Sequence, residues 1–298
     1  MYFSLSLDEN HNLYQWGRLP RGPQAPDGLK WRMVDGGDQH ACGLTLDGVT
    51  HCWGSWIERL LPNPLQNPTN GTNWLWISAG AQNSCAVQNL TGISVCWGNA
   101  NTGINDIPAT ELTPVPGGFQ PEGFRQISVG TGHACGILRV TGRIVCWGAK
   151  SAGAGYIPYI EGAPAEVQDW ERVEAGYTHS CGRSTAGQDY CWGTSGNYRT
   201  TASQPGLWSV MDGGNMYTCG MTIANNTHTS RGYCYQVGSN VNLLCKLICR
   251  EDIPQMMITI NHFKVNEGGI TASCRDHCCS VPDENLKFNV HTYSGVRK

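Results

Sequence analysis

Apolar and polar residues alternate over short stretches such as "WRMV" from Trp31 and "FRQI" from Phe124, each opening on a large ring. Period-two alternation of that length predicts a β-strand with one buried face. A glycine follows, where the chain turns too sharply for a side chain. A second strand then carries a cysteine. Asp47-Gly48, Thr141-Gly142 and Ala186-Gly187 mark tight turns after it. A third strand returns with another cysteine and usually ends in Trp-Gly.

The pattern recurs as "HACGLTLDGVTHCWG" from His40, "NSCAVQNLTGISVCWG" from Asn83, "HACGILRVTGRIVCWG" from His133 and "HSCGRSTAGQDYCWG" from His179. The first cysteine of each hairpin serves as an anchor: Cys42, Cys85, Cys135, Cys181, Cys219 and Cys274. Eleven residues before them stand Trp31, Trp74, Phe124, Trp170, Trp208 and Phe263. Five residues before them stand Gly37, Gly80, Gly130, Gly176, Gly214 and Gly269. The anchors are 43, 50, 46, 38 and 55 residues apart, the range of propeller blades.

Antiparallel neighbours in register lie close enough for a disulfide. The expected pairs are Cys42 with Cys52, Cys85 with Cys96, Cys135 with Cys146, and Cys181 with Cys191. Cys219 with Cys234 follows across a turn lengthened by "NNTHTS". The N-terminal "FSLSLDENHNLYQWG" reads as a second and third strand, with Leu5 and Gln15 where the cysteines would stand. The extended-looking "NLKFNVHTYSG" near the C-terminus could supply its missing first strand. The expected architecture is one all-β propeller domain over residues 1–298: half-blade 1–17, then repeats 31–54, 74–98, 124–148, 170–193, 208–238 and a degenerate 263–298. It has seven blades with that closure and six without it.

Composition agrees with the pattern. The 298 residues include 38 Gly, 15 Pro and 11 Trp with only 14% charged, a turn-rich β-type balance. A net charge of −3 and the lack of a Lys/Arg cluster give no reason to expect nucleic acid. No apolar run approaches twenty residues; "NVNLLCKLIC" at 240–249 is short and contains Lys246, so no membrane span is expected. Fifteen regularly spaced cysteines point to an oxidising, extracellular setting, the alternative being a reduced protein whose cysteines fill its core. Sequons at Asn70, Asn89 and Asn225 fit a secreted glycoprotein. The start "MYFSLSLDEN" is no signal peptide, so for a secreted protein Met1 is not the expected start of translation.

The repeat resembles that of the regulator of chromosome condensation family, whose blades run aromatic, apolar, glycine, His-x-Cys and a closing Trp-Gly. "FRQISVGTGHACGILRVTGRIVCWG" at 124–148 carries the resemblance most fully. The cysteine-bearing form resembles the extracellular propellers of crinkly-type plant receptor kinases, and beta-lactamase inhibitor protein II is a cysteine-free relative of that architecture. The resemblance implies a fold; members include exchange factors, inhibitors, receptors and structural proteins, so it implies no single function.

His40, His133 and His179 share one slot, two residues before a cysteine. A ring of histidines could bind metal. Asn83, Tyr217 and Ala272 occupy the slot elsewhere, which favours a structural hydrogen bond, so neither metal nor cofactor is expected. Asp35, Glu174, Asp212 and Glu267 precede the repeat glycine and could form a polar rim. Nothing pairs them as acid and base, and no phosphate loop, His-Glu-x-x-His or nucleophile elbow is present, so no enzyme is expected. Trp56 and Trp76 lie outside the repeat slots and are candidates for ligand contact or for packing. Long segments at 55–73, 99–123, 149–169 and 239–262 are the expected binding loops, although "ELTPVPGGF" within them reads as a blade connector.

Cys245, Cys249, Cys274, Cys278 and Cys279 remain, and five is odd. Either one thiol stays free or it joins another chain. The leading expectation is a secreted, non-enzymatic, lectin-like recognition module for an extracellular glycan or protein. The alternative is a homo-oligomeric structural subunit of a filament, matrix or coat, joined by strand exchange or an interchain disulfide. A propeller-faced protein inhibitor is a third reading.

Overall fold

The computed structural model describes residues 3–17, 22–54, 73–108, 112–115, 118–148, 163–164, 167–177 and 179–193, and beyond them the backbone strands 198–199, 208–213, 217–223, 230–236, 242–243, 273–275 and 278–280. The described residues are all-β apart from one short 3-10 turn, Ala100–Thr102. No helix among them is long and apolar enough to cross a membrane.

Five antiparallel sheets follow the repeat. They open on Trp31–Gly36, Trp74–Ala79, Phe124–Val129, Trp170–Ala175 and Trp208–Gly213. Each pairs its first strand with the second and its second with the third; the last two sheets add a short fourth strand. Phe3–Leu7 pairs with Leu13–Gly17 in the register of the second and third strands: Phe3 faces Gly17 as His40 faces Gly54, and Leu5 faces Gln15 as Cys42 faces Cys52. The connector "ELTPVPGGF" contributes a small hairpin of Leu112–Val115 with Gly118–Pro121. The expected closing strand at 285–295 and the ring of Phe263 lie outside the described residues, as do most of the long inter-blade segments.

The simple alternation expected for "WRMV" is broken. A register shift falls between Trp31 and Met33, and again at Trp74/Trp76, Phe124/Gln126, Trp170/Arg172 and Trp208/Val210. Such a bulge adds one residue and moves what precedes it to the other face. Trp31 therefore shares a cluster with Val34, while Met33 joins the next sheet's cluster.

Four clusters of the core each join two sheets. The Cys42 and Leu44 face of one packs on Trp74, Ile77 and Trp97 of the next. Cys85 and Val87 meet Phe124, Ile127 and Trp147 in the same way, and Cys135 and Ile137 meet Trp170, Val173 and Trp192. Leu5 and Leu7 of the N-terminal hairpin meet Trp31, Val34 and Trp53, so leucine does the cysteine's packing there. Gln15, in the partner cysteine slot, accepts a hydrogen bond from Trp53 Nε1 at 2.9 Å. The first-strand ring also meets the closing tryptophan of its own sheet: Trp31–Trp53 at 5.5 Å, Phe124–Trp147 at 5.5 Å and Trp170–Trp192 at 5.9 Å.

Four disulfides tie second to third strands: Cys42–Cys52, Cys85–Cys96, Cys135–Cys146 and Cys181–Cys191. Behind Cys42, Cys135 and Cys181 the strand makes room for the ring with a glycine. A Cβ on Gly43, Gly136 or Gly182 would lie 2.4 to 2.7 Å from the Trp31, Phe124 or Trp170 ring.

Candidate functional site

Two repeated polar positions lie between consecutive sheets. The first is two residues before the repeat glycine. Asp35 Oδ1 accepts the Gly36 N–H at 2.7 Å, and its Oδ2 accepts the Ala79 N–H of the next sheet at 2.8 Å. Ser78 Oγ accepts from Val129 N–H at 3.1 Å. Ser128 Oγ accepts from Ala175 N–H at 2.9 Å and donates to Glu174 Oε2 at 3.0 Å. Asp35 and Glu174, two of the carboxylates expected at a rim, thus belong to a row of sheet-to-sheet contacts, and the side chains of Asp212 and Glu267 lie outside the described residues. The surrounding protein pushes the Glu174 carboxyl up to about 8, while Arg172 and the Ser128 bond act in the opposite sense.

The second position is the histidine slot. His40 Nε2 and Ser84 Oγ of the next sheet are hydrogen-bonded at 2.7 Å, as are His133 Nε2 and Ser180 Oγ at 2.8 Å. Each serine hydroxyl also lies within 3.4 Å of a disulfide sulfur, Cys42 or Cys135. His40 Nδ1 is buried without a hydrogen-bond partner, which favours the tautomer with its proton on Nε2. The serine, one residue after the slot, decides the pattern. The third sheet has Ala134 there, and Asn83 instead turns to its own loop, donating to Asn99 O and Asn105 Oδ1, both at 3.0 Å.

Desolvation pushes the imidazoles down: His40 and His179 to about 4, His133 to about 3. All three are buried, and the downward shift keeps them neutral at neutral pH. Among the described residues, no three His, Cys, Asp or Glu side chains stand close enough to share a metal ion. Replacing Ser84 with alanine leaves the His40 Nε2 proton without an acceptor in a dry interface. The expected loss is about 1–3 kcal/mol of stability, read as a lowered urea midpoint.

Trp76 is a wedge between sheets. It is half-buried, packs in two clusters and donates Nε1–H to Ile127 O at 2.8 Å. Trp56 lies outside the described residues, as do Asn70 and Asn225. Asn89 is half-buried in a hairpin turn. The loop at 99–108 docks on the scaffold, with Ile104 buried and its carbonyl accepting from Trp147 Nε1 at 2.8 Å.

Among the described residues, exposed aliphatic side chains gather at the turns between second and third strands, while Tyr14 and Tyr177 are exposed elsewhere. Leu46, Leu90, Ile93 and Val140 occupy the tips of three successive sheets and are 49%, 71%, 59% and 70% exposed. Each tip is seated on the start of the next sheet: Trp74 N–H donates to Gly48 O at 3.1 Å, Phe124 to Gly92 O at 2.8 Å and Trp170 to Gly142 O at 3.1 Å. Arg139 ties two tips together by donating to the Asn89 and Leu90 carbonyls. Sequence reasoning missed this row because its aliphatic residues look like ordinary strand ends.

Solved structures match this arrangement. The CRINKLY WD40 ectodomain of an Arabidopsis thaliana receptor kinase is 22% identical with a TM-score of 0.51, over 78% of this chain and 76% of that one. The entire ectodomain of a Physcomitrella patens receptor kinase is 22% identical with a TM-score of 0.54, over 79% of this chain and 59% of that one. Prp20p of Saccharomyces cerevisiae, which binds Gsp1p and histones, is 15% identical with a TM-score of 0.54, over 84% of this chain and 75% of that one. The fold is a β-propeller like theirs, with disulfides tying strands within its sheets. No protein-family model and no curated protein matches the sequence. In the propeller's terms, the repeated sheets are blades, the two polar positions are inter-blade ties, and the exposed tips lie along one edge of consecutive blades.

Proposed function

We propose that the chain is a secreted, non-enzymatic recognition module that binds an extracellular protein or glycan. The observation that carries this is the row Leu46, Leu90, Ile93 and Val140, held in place by backbone bonds on a disulfide-tied scaffold. Exposed aliphatic side chains on a rigid surface lose little entropy on binding. The four disulfides and the likeness to two receptor ectodomains support the extracellular placement. The buried histidines are tied into blade contacts, which moves the working surface to the tips and loops.

The test is a double variant, Leu90→Asp with Val140→Asp. Both residues are exposed, so stability is expected to change by less than about 0.5 kcal/mol. Wild type is screened against glycan arrays and native extracellular proteins, and affinity for each hit is compared with the variant. A loss of tenfold or more at unchanged stability is expected. Equal affinity would exclude the tip row as the binding surface.

A second reading, a subunit of an extracellular assembly, is favoured by one observation. Among the described residues Phe3–Leu7 pairs only with Leu13–Gly17, which leaves one strand edge for a first strand supplied by the same or another chain.

A further inference from the structure

The register of the hairpins extends to cysteines whose pairing the sequence leaves open. In the first four blades the turn sets the parity. Thr45 N–H donates to Val49 O, Gln88 to Ile93 O, Leu138 to Arg143 O and Ser184 to Gln188 O, so these pairs are hydrogen-bonded. Antiparallel pairs alternate between hydrogen-bonded and non-hydrogen-bonded, and the latter stand closer. Counting three pairs inward reaches Cys42/Cys52, Cys85/Cys96, Cys135/Cys146 and Cys181/Cys191. Each therefore occupies a non-hydrogen-bonded pair. Their Cα atoms are 4.0 to 4.1 Å apart, and all four are bridged.

Near the C-terminus, Ser273–Arg275 pairs with Cys278–Ser280. Two residues separate the strands in sequence, and strands joined by two residues pair their flanking residues, here Arg275 and Cys278, by hydrogen bonds. Cys274 faces Cys279 one step inward, a position that the alternation assigns to the non-hydrogen-bonded class. Cys278 faces Arg275 and has no cysteine opposite it.

We infer that Cys274 and Cys279 form a further hairpin disulfide, of the same class as the four described, and that Cys278 is excluded from it. Its formation joins two thiols with loss of two electrons and two protons, which reduce the disulfide of an oxidising thiol–disulfide partner of the secretory route to a dithiol. With Cys219–Cys234, which also face each other in register, twelve cysteines are paired and Cys245, Cys249 and Cys278 are left. Three cannot all pair within one chain. The inference stands independently of the recognition role.

The experiment is tryptic mapping of the full chain, alkylated but not reduced. Cleavage after Arg275 puts Cys274 on peptide 265–275 and both Cys278 and Cys279 on peptide 276–287. The expected product is these two peptides linked, with electron-transfer fragmentation placing the bond on Cys279. Cys278→Ser keeps the linked pair and Cys279→Ser loses it. A bond on Cys278, an alkylated Cys274, or a Cys274 link to Cys245 or Cys249 would overturn the assignment.

Discussion

Gly80→Ala destabilises the propeller by about 3 kcal/mol or more, while Gly132→Ala, two residues beyond the equivalent turn glycine of the next blade, is neutral to mildly stabilising. A Cβ on Gly80 would stand 2.2 Å from the carbonyl oxygen of Gly130 and 2.7 Å from that of Val129. The obstacle is backbone, which no rotamer change removes. The repeat glycines approach one another in series: a Cβ on Gly37 would lie 2.0 Å from Gly80 O, and one on Gly130 2.2 Å from Gly176 O. One methyl therefore forces two blades apart and loosens the Asp35 to Ala79 and Ser78 to Val129 bonds beside it. Nothing lies within 4 Å of a Cβ on Gly132, so the same chemical change there acts through the unfolded chain alone. Urea midpoints of the two variants check the contrast. A Gly80→Ala loss below about 1 kcal/mol would mean that the blades do not approach this closely.

Acid unfolds the propeller earlier than carboxylate protonation requires. His40, His133 and His179 titrate near 4, 3 and 4 in the folded chain and near 6.5 in the unfolded one. Between those values the unfolded chain binds protons that the native one refuses. Stability is therefore lost as pH falls from about 6.5 towards 4, by roughly 3 kcal/mol for each histidine. That is a large share of the 5–15 kcal/mol that typically holds a domain together. Glu174, pushed up to about 8, works in the other direction: its contribution is present below its unfolded value and lost as pH rises towards 8. Asp189, pushed up to about 6 by burial, acts in the same sense as Glu174; below pH 6.5 three histidines outweigh these two carboxyls, so the urea midpoint peaks between pH 6 and 7. His133→Gln is expected to shallow the acid limb by about a third. A midpoint flat from pH 4 to 7 would contradict the buried, neutral assignment.

Much of this was legible because the repeat carries its own controls. Six aromatics and six glycines at fixed offsets from a cysteine define strands, turns and facing pairs, since strand register follows from turn length. The slot interpretation of the histidines was legible too, because Asn83 and Tyr217 in the same slot argue against a metal ring. The bonding partner was not. Ser84 and Ser180 are distant in sequence from His40 and His133, and only blade stacking brings them together. The rim assigned to Asp35 and Glu174 failed for the same reason: a carboxylate before a glycine looks exposed until the next blade's N–H arrives. Trp76 sits outside the repeat slots, which marks it as unusual but cannot separate a ligand platform from a wedge.

By itself, the sequence determined the all-β repeat, the strand order within each blade and the four hairpin bridges, because these depend on neighbours along the chain and on a period of two. The tertiary structure decided which side chains meet between blades, where a bulge turns the alternation over, and which aliphatic tips stay in water. Those features depend on how one blade's face lies against the next, and residues 40 to 50 positions apart carry no mark of that contact until the blades stack.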